Sequence, residues 1–528
     1  MALAHGAARG IRVGAFAVIA AALLGGLLWV DPERVIAGFL SDDAFYYLKI
    51  ARHIAEGRGS TFDGLHPTNG YHPLWMLVVV AVTALAPAGL VPPALAVIVL
   101  SVGMGLATLA LVARVVGRYL APGLAAVGVA ACLLPIALIG MTNGLETGIL
   151  MLSLAVWAWA SLAGGLHRPG AGPGAAFWFG LLLGVVFLAR LDSAFLVITA
   201  GGLLAASGLI AGQGPARILA RLSAVGAGGA VAALPYFAWN LLRFGHLAPI
   251  SGAVKSSFPE LRHHLDLRGD MEVGALLTAA VLVLNAWTLA GDRRRGVPLA
   301  ESLASPVLML GTACALHFLH AWLFLDWGVY WWHFAATNLA FALALPVPLA
   351  RWLEARPRLR PLAVGLLVAG FASLGGAVKV LDFAHKGRQH GGWMEAARWA
   401  RQHTPPDAVF AIVDAGLFGY FSDRRVINLD GKANGYGYRE EIERDGLETY
   451  LRRTGVAYLA DIHCRYVDGA CAIAVQRVND SPLLLVLNER DEVFRSAPIP
   501  ERKLGLRASA DTHFVIWRFE ANDPPVGG

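Results

Sequence analysis

Apolar runs of about 18 to 22 residues recur along this chain from Val13 to Leu381, and each is long enough to cross a bilayer. Backbone amides inside hydrocarbon must be satisfied within their own segment, so runs of this kind fold as helices. A succession of them joined by short polar loops leaves one broad class, a polytopic α-helical membrane protein. Composition agrees: 56% of the 528 residues are hydrophobic and 15% are charged, against about 25% charged in soluble domains. The net charge of +6 is no sign of nucleic acid binding, because the basic residues sit in short loops between spans, where the positive-inside rule accounts for them.

The first run, about Val13 to Val30, follows Arg9 and Arg12 and has no small-residue cleavage site after it, so it reads as an uncleaved span with a cytoplasmic N-terminus. The stretch Leu74 to Ala86 is short and is followed by Pro87, Pro92 and Pro93, which suits a partial or re-entrant helix. Taking it as such gives about eleven spans. Arg114 and Arg118, His167-Arg168, Arg217 and Arg221, Arg293 to Arg295 and Arg351 to Arg360 then fall on one side. The loops rich in Asp, Glu, His, Asn and Trp fall on the other, outer side. Cys132 and Cys314 lie within apolar runs and read as core thiols, while Cys464 and Cys471 lie in a polar region where an oxidising compartment would allow a disulfide.

The most polar long segment before the C-terminal region is Ser41 to Trp75, in the first outer loop. Asp42 and Asp43 stand where helix-starting acids belong, and Phe45, Leu48, Ala51, Ile54 and Ala55 recur at helical spacing after them. Lys49, Arg52 and Glu56 form the charged face of a helix expected to lie flat on the membrane surface. Gly57, Gly59 and Gly64 end it, and His66, Asn69 and His72 follow as candidate substrate contacts. From about Gly391 the composition becomes that of a soluble α/β domain, with strand candidates at Val409 to Val413, Arg425 to Leu429, Val456 to Leu459, Leu483 to Leu487 and Phe514 to Phe519. The expected division is therefore a membrane domain over 1–385 and an extracytoplasmic domain over 386–528.

Several outer-side residues carry usable chemistry. A carboxylate at Asp42 or Asp43 suits a general base, a divalent-ion ligand or a partner for sugar hydroxyls, against the plainer role of starting a helix. Glu146, in Asn143-Gly-Leu-Glu-Thr147, falls on the same side, so two loops can converge. Arg190 and Asp192 flank a span end and suit either an internal ion pair or substrate contact. His246 and Lys255 share a Gly/Pro/Ser-rich loop, and a lysine there is a compact charge for a phosphate. Trp331 and Trp332 fit an interfacial aromatic belt or a stacking surface for a sugar ring. His66 and His72 alone do not define a metal site.

With these motifs in place, the chain resembles the GT-C superfamily of membrane glycosyltransferases, and most nearly its arabinofuranosyltransferase-like and uncharacterised bacterial members. The resemblance rests on Asp42-Asp43-Ala-Phe-Tyr-Tyr with Ala51-Arg52-His53-Ile54, on Thr142-Asn-Gly-Leu-Glu146-Thr, on Arg190/Asp192, and on the loop from Gly245 to Lys255. It implies a polyprenyl-phosphate sugar donor, transfer at the outer face of a bacterial inner membrane, and a cell-envelope glycan, lipid or protein as acceptor. Asp42 or Asp43 would match the first-loop catalytic acid and Glu146 the second. Lys255 and Arg190 would contact the donor phosphate. A divalent cation (Mg, Mn or Ca) is used by some members and not by others; Asp42, Asp43 and Glu146 would be its ligands here. The rival reading is a transporter or flippase for a lipid-linked glycan, or a non-catalytic glycan-binding assembly protein. Spans nearly free of charge, without visible repeats, argue against transport.

Overall fold

The computed structural model describes residues 30–261, 267, 269–325, 327–461, 468–478, 481–498 and 513–519. The expected first span, Asp326 and Cys464 lie outside the described residues apart from Val30. The protein is a mostly helical membrane protein with a C-terminal sheet region. Among the described residues eight helical segments are long and apolar enough to cross a membrane: Val91–Tyr119, Thr147–Gly164, Leu191–Ile210, Pro215–Phe244, Asp270–Arg294, Pro306–Phe324, Trp331–Glu354 and Arg360–His403. Three more apolar helices are shorter. Pro73–Leu85 is the short stretch after the first loop. Pro122–Ala131 and Pro173–Ala189 occupy two expected spans. The expected span from Leu120 to Ile139 is broken, because Pro135 starts a second short helix, Pro135–Gly140, and proline has no amide to continue the first.

The loops segregate to two ends of the bundle. One end gathers the first loop, Leu145-Glu146, Arg190, Ser251 to Lys255 and Trp327 to His333 around one cleft. The other gathers Tyr119-Leu120, His167 to Pro169, Asp292 to Ser305 and Arg351.

The first-loop helix, Asp42–Ala55, does not lie on a membrane surface with its charged face in water. Ala44 to Ala51 are all buried, Lys49 included. The helix is enclosed because the C-terminal domain packs over it: Phe45 meets Tyr420 and Phe421 at ring-centroid distances of 5.8 and 5.6 Å. Lys49 Nζ donates to the carbonyls of Gly419 (2.8 Å) and Arg424 (2.9 Å). Burial pushes the Lys49 ammonium down to about 7. Arg52 pairs with Asp423 at 2.7 Å, and only Glu56 of the expected charged face is exposed. One hydrophobic core runs from Val35 and Phe45 through Trp75 and Val97 to Phe410, Phe418 and Ile516, so the two parts of the chain are fused by burial.

The connection is equally direct. Arg360–His403 is one helix of 44 residues that leaves the bundle and enters the C-terminal domain without a break. There a five-stranded sheet has the order β2-β1-β3-β7-β6, with β1 Val409–Ile412, β2 Arg425–Asn428, β3 Val456–Asp461, β6 Glu492–Arg495 and β7 Val515–Arg518. β1 is parallel to β2 and β3, while β7 is antiparallel to β3 and β6. β4 Ala470–Val478 and β5 Ser481–Asn488 form a separate hairpin. The loops after β1 and β2 leave the carboxyl ends of parallel strands, the edge where α/β sheets commonly place ligand-binding loops. They carry Asp414, Asp430 and Lys432 to the first-loop helix. Two glycines permit the approach. A Cβ on Gly416 would collide with the Asp42 carbonyl, and one on Gly70 with the Lys432 carbonyl.

Candidate active site

The cleft at the first-loop end encloses about 740 Å³, part of it open to solvent. Of the residues singled out from sequence, Asp43, His72, Glu146, Arg190, Lys255 and Trp332 line it. They come from five stretches of chain and meet only because the bundle ends there.

The two adjacent acids have separate environments. Asp42 turns to the C-terminal domain, where Oδ1 accepts the Leu417 amide (2.7 Å) and Oδ2 the Gly416 amide (3.2 Å). Burial, then the nearby Asp414 charge, lifts its carboxyl well above the ordinary value, against the pull of the Leu417 amide. Asp43 faces the cleft and is partly exposed, with Oδ1 3.1 Å from Lys432 Nζ. Burial works to raise its carboxyl, but Lys432 and then Lys255 hold it below the ordinary value. An ionised carboxylate therefore stands in the cleft at neutral pH.

Glu146 lies deeper. Its Oε2 accepts the Tyr47 hydroxyl (3.1 Å), and its Oε1 lies 3.6 Å from His72 Nε2 and 3.8 Å from Arg190 Nε. Tyr47 is fixed in turn by the His72 amide, which donates to its hydroxyl at 3.0 Å. Burial lowers the His72 imidazolium, against the attraction of Glu146. Arg190 pairs with Asp192 at 3.0 Å and donates to the Trp332 carbonyl at 2.9 Å; His317 Nε2 stands 3.2 Å from the same Asp192 oxygen. Asp192 thus sits behind Arg190, outside the lining of the cleft. Lys255 ends the short helix Ile250–Lys255, with its ammonium 5.9 Å from the Trp327 ring centre.

Four other sequence candidates lie elsewhere. His66 Nδ1 is 2.6 Å from Asp63 Oδ2 at the edge of the first loop. Asn69 is fully buried, with contacts to Asn240, the Ile250 amide and Tyr436. His246 is exposed and stacks on Tyr436 at 4.0 Å. Trp331 packs towards Phe334 and Met271. Asn69 and His246 join loops to the C-terminal domain, a task their sequence context did not reveal.

The cleft also holds residues that were not singled out. Lys432 bridges Asp43 and Asp430 (3.0 Å) and lies 3.8 Å from Asp414. Tyr46, whose hydroxyl accepts the Ala415 amide at 2.7 Å, and His333 line it as well. Lys432 sits in a Gly/Asn-rich turn, and turn composition hid it. Among the described residues no group of three or more His, Cys, Asp or Glu is placed to hold a metal ion. The suggested set of Asp42, Asp43 and Glu146 does not converge: Asp42 is taken by amides, Asp43 by a lysine, and Glu146 by Tyr47, His72 and Arg190.

The comparisons with known proteins bear on the fold. ArnT from Cupriavidus metallidurans bound to undecaprenyl phosphate is similar at TM-score 0.59 and 15% identity, over 86% of this chain and 96% of that chain. The apo state of ArnT from the same organism gives TM-score 0.51 and 15% identity, over 86% and 93%. The likeness shows that this chain shares the fold of that protein over most of its length. A family model described as a domain of unknown function (DUF8728) matches residues 381–503. No curated protein matches the chain.

Proposed function

We propose that this protein is a glycosyltransferase that moves a sugar from a polyprenyl-phosphate donor to an acceptor hydroxyl at the outer face of a bacterial inner membrane. The observation that carries this reading is the cleft itself, where one ionised carboxylate, Asp43, stands among Lys432, Lys255 and Arg190 at the membrane end of a GT-C fold. The likeness to a protein that binds undecaprenyl phosphate supports the lipid-phosphate donor.

In this mechanism the acceptor oxygen attacks the anomeric carbon, and Asp43 takes its proton. The bond from that carbon to the phosphate oxygen breaks, and its electron pair leaves with the polyprenyl phosphate. Lys255 and Arg190 stabilise the charge gained by the phosphate. Glu146 holds Arg190, Tyr47 and His72 in register. Asp42 anchors the C-terminal domain by accepting its amides.

The test is sugar transfer by purified protein in nanodiscs, supplied with a panel of undecaprenyl-phosphate sugars and envelope acceptors. Transfer or donor cleavage that disappears in a folded Asp43→Asn variant establishes the reading. Binding of lipid-linked sugars without cleavage, equal in wild type and Asp43→Asn, overturns it in favour of a transporter or a binding protein.

A further inference from the structure

The cation closest to Asp43 is not part of the membrane domain. Lys432 is delivered by the loop after β2, inside the segment matched by the domain of unknown function. Its ammonium touches Asp43 at 3.1 Å and Asp430 at 3.0 Å, and lies 5.1 Å from the Tyr46 ring centre and 5.9 Å from that of Trp327. The same Trp327 ring lies 5.9 Å from the Lys255 ammonium. Two lysines, one from each part of the chain, therefore flank one indole at the wall of the cleft. Asp430 is buried and accepts the Lys432 amide through its other oxygen (3.0 Å), so it fixes the backbone of Lys432 at the cleft wall whatever happens at Asp43.

We infer that Lys432 is a charge-exchanging residue, counter-ion of Asp43 before transfer and of the departing polyprenyl phosphate after it. This inference rests on the reading above. Transfer moves one proton from the acceptor hydroxyl to Asp43, and one electron pair from the broken carbon–oxygen bond to the phosphate. Asp43 thereby loses its negative charge as the phosphate gains one. Lys432 keeps its own proton throughout. Its attraction to Asp43 falls at the moment a new anion forms beside Lys255, across Trp327. In a partly desolvated cleft such a change of partner is worth more than in water. The C-terminal domain then contributes directly to the reaction, and the donor-bound and product-bound states differ in where its lysine points.

The experiment measures binding of undecaprenyl phosphate, the product carrier, to nanodisc-embedded full-length protein, beside transfer rates. Asp43→Asn mimics the neutral state and removes one carboxylate charge from Lys432, so it should bind undecaprenyl phosphate about tenfold more tightly than wild type, the scale of one charge-assisted contact. Lys432→Gln should bind it about tenfold more weakly, and in the double variant the gain from Asp43→Asn should vanish. Lys432→Arg, which keeps the charge, should recover most of the binding. A lysine that only clamps the two domains would give no tightening in Asp43→Asn. Wild-type transfer with no opposite-signed shifts in the two variants overturns this inference and leaves the proposed function standing. Absence of both transfer and carrier binding in wild type overturns the two together.

Discussion

The two ends of the helical bundle each hold a cavity and each hold an arginine–aspartate pair, yet they are built differently. The cavity at the end away from the first loop is the larger, about 1290 Å³ against about 740 Å³. Its pair, Arg351 and Asp292, is self-contained: Arg351 also donates to the Thr288 carbonyl at 2.9 Å, and Asp292 accepts the Ser302 hydroxyl at 3.3 Å. Those bonds tie neighbouring helices together and leave little to offer a ligand. At the first-loop end, Asp192, backed by His317, holds Arg190, which faces a space that also receives Asp43, Lys255 and Lys432. Size does not distinguish the site from the structural cavity. The pairing of charges does: Arg351 and Asp292 are satisfied by each other and by neighbouring helices, whereas Asp43, Lys255 and Lys432 line the first cleft from three separate loops.

This contrast can be broken by experiment. The largest expected effect is on Asp43: Asp43→Asn should lower transfer by about 100- to 10,000-fold, the range for a lost general base. Asp42→Asn should cost less than about tenfold, because an amide oxygen still accepts the Leu417 amide and the lost charge is one that burial already disfavours. Equal losses in the two variants, measured by product formation from a radiolabelled donor, would erase the distinction between the adjacent acids.

Lys255→Ala should reduce kcat/KM by about 100-fold if it meets the charge developing on the phosphate. At the opposite end, Asp292→Asn should leave kcat/KM within about twofold and lower unfolding stability by about 1–3 kcal/mol, through Arg351 losing its partner. A large activity loss there, with the melting temperature unchanged, would move the functional site to the other end of the bundle.

The smallest effect concerns Lys49, which fastens the C-terminal domain to the first-loop helix. An ordinary lysine keeps its proton to about 10.5, whereas burial in the folded chain lowers Lys49 to about 7. Between those values the unfolded chain binds more protons than the folded one, so stability rises as pH climbs through that window. Thermal unfolding in detergent from pH 7 to 10 should show this rise, and Lys49→Met should flatten it.

Much of the fold was legible because hydrocarbon imposes a length and an apolar composition on every span. The break at Pro135 was missed because the run through it stays apolar, and the enclosure of Asp42–Ala55 because amphipathicity does not say what covers a helix face. Strand candidates at Val409, Arg425 and Val456 emerged from short apolar runs between turns. β6, with the charged ends Glu492 and Arg495, gave no such signal. Within the site, Asp43 stood out as one of two adjacent acids at a helix start, and Glu146 and Lys255 as charges in otherwise uncharged loops. Lys432 stood among many other charged residues, and Asn69 and His246 looked like ligands when their partners are Asn240 and Tyr436. Charge in an apolar region is conspicuous in a sequence; which of several polar residues meet across long stretches of chain is decided by packing.

The unbroken helix from Arg360 to His403 fixes the phase of the molecule as well as its length. Each residue of a helix advances about 1.5 Å and turns about 100°. One residue inserted near the middle of that rod would rotate the C-terminal domain by about a quarter turn relative to the bundle, carrying Lys432 away from Asp43 while every span kept its hydrophobicity. Four inserted residues would return the angle to within about 40° but lift the domain by about 6 Å. No small insertion or deletion preserves both angle and height, so this helix works as a key cut to one depth, and its residue count is as much a part of the cleft as the side chains that line it.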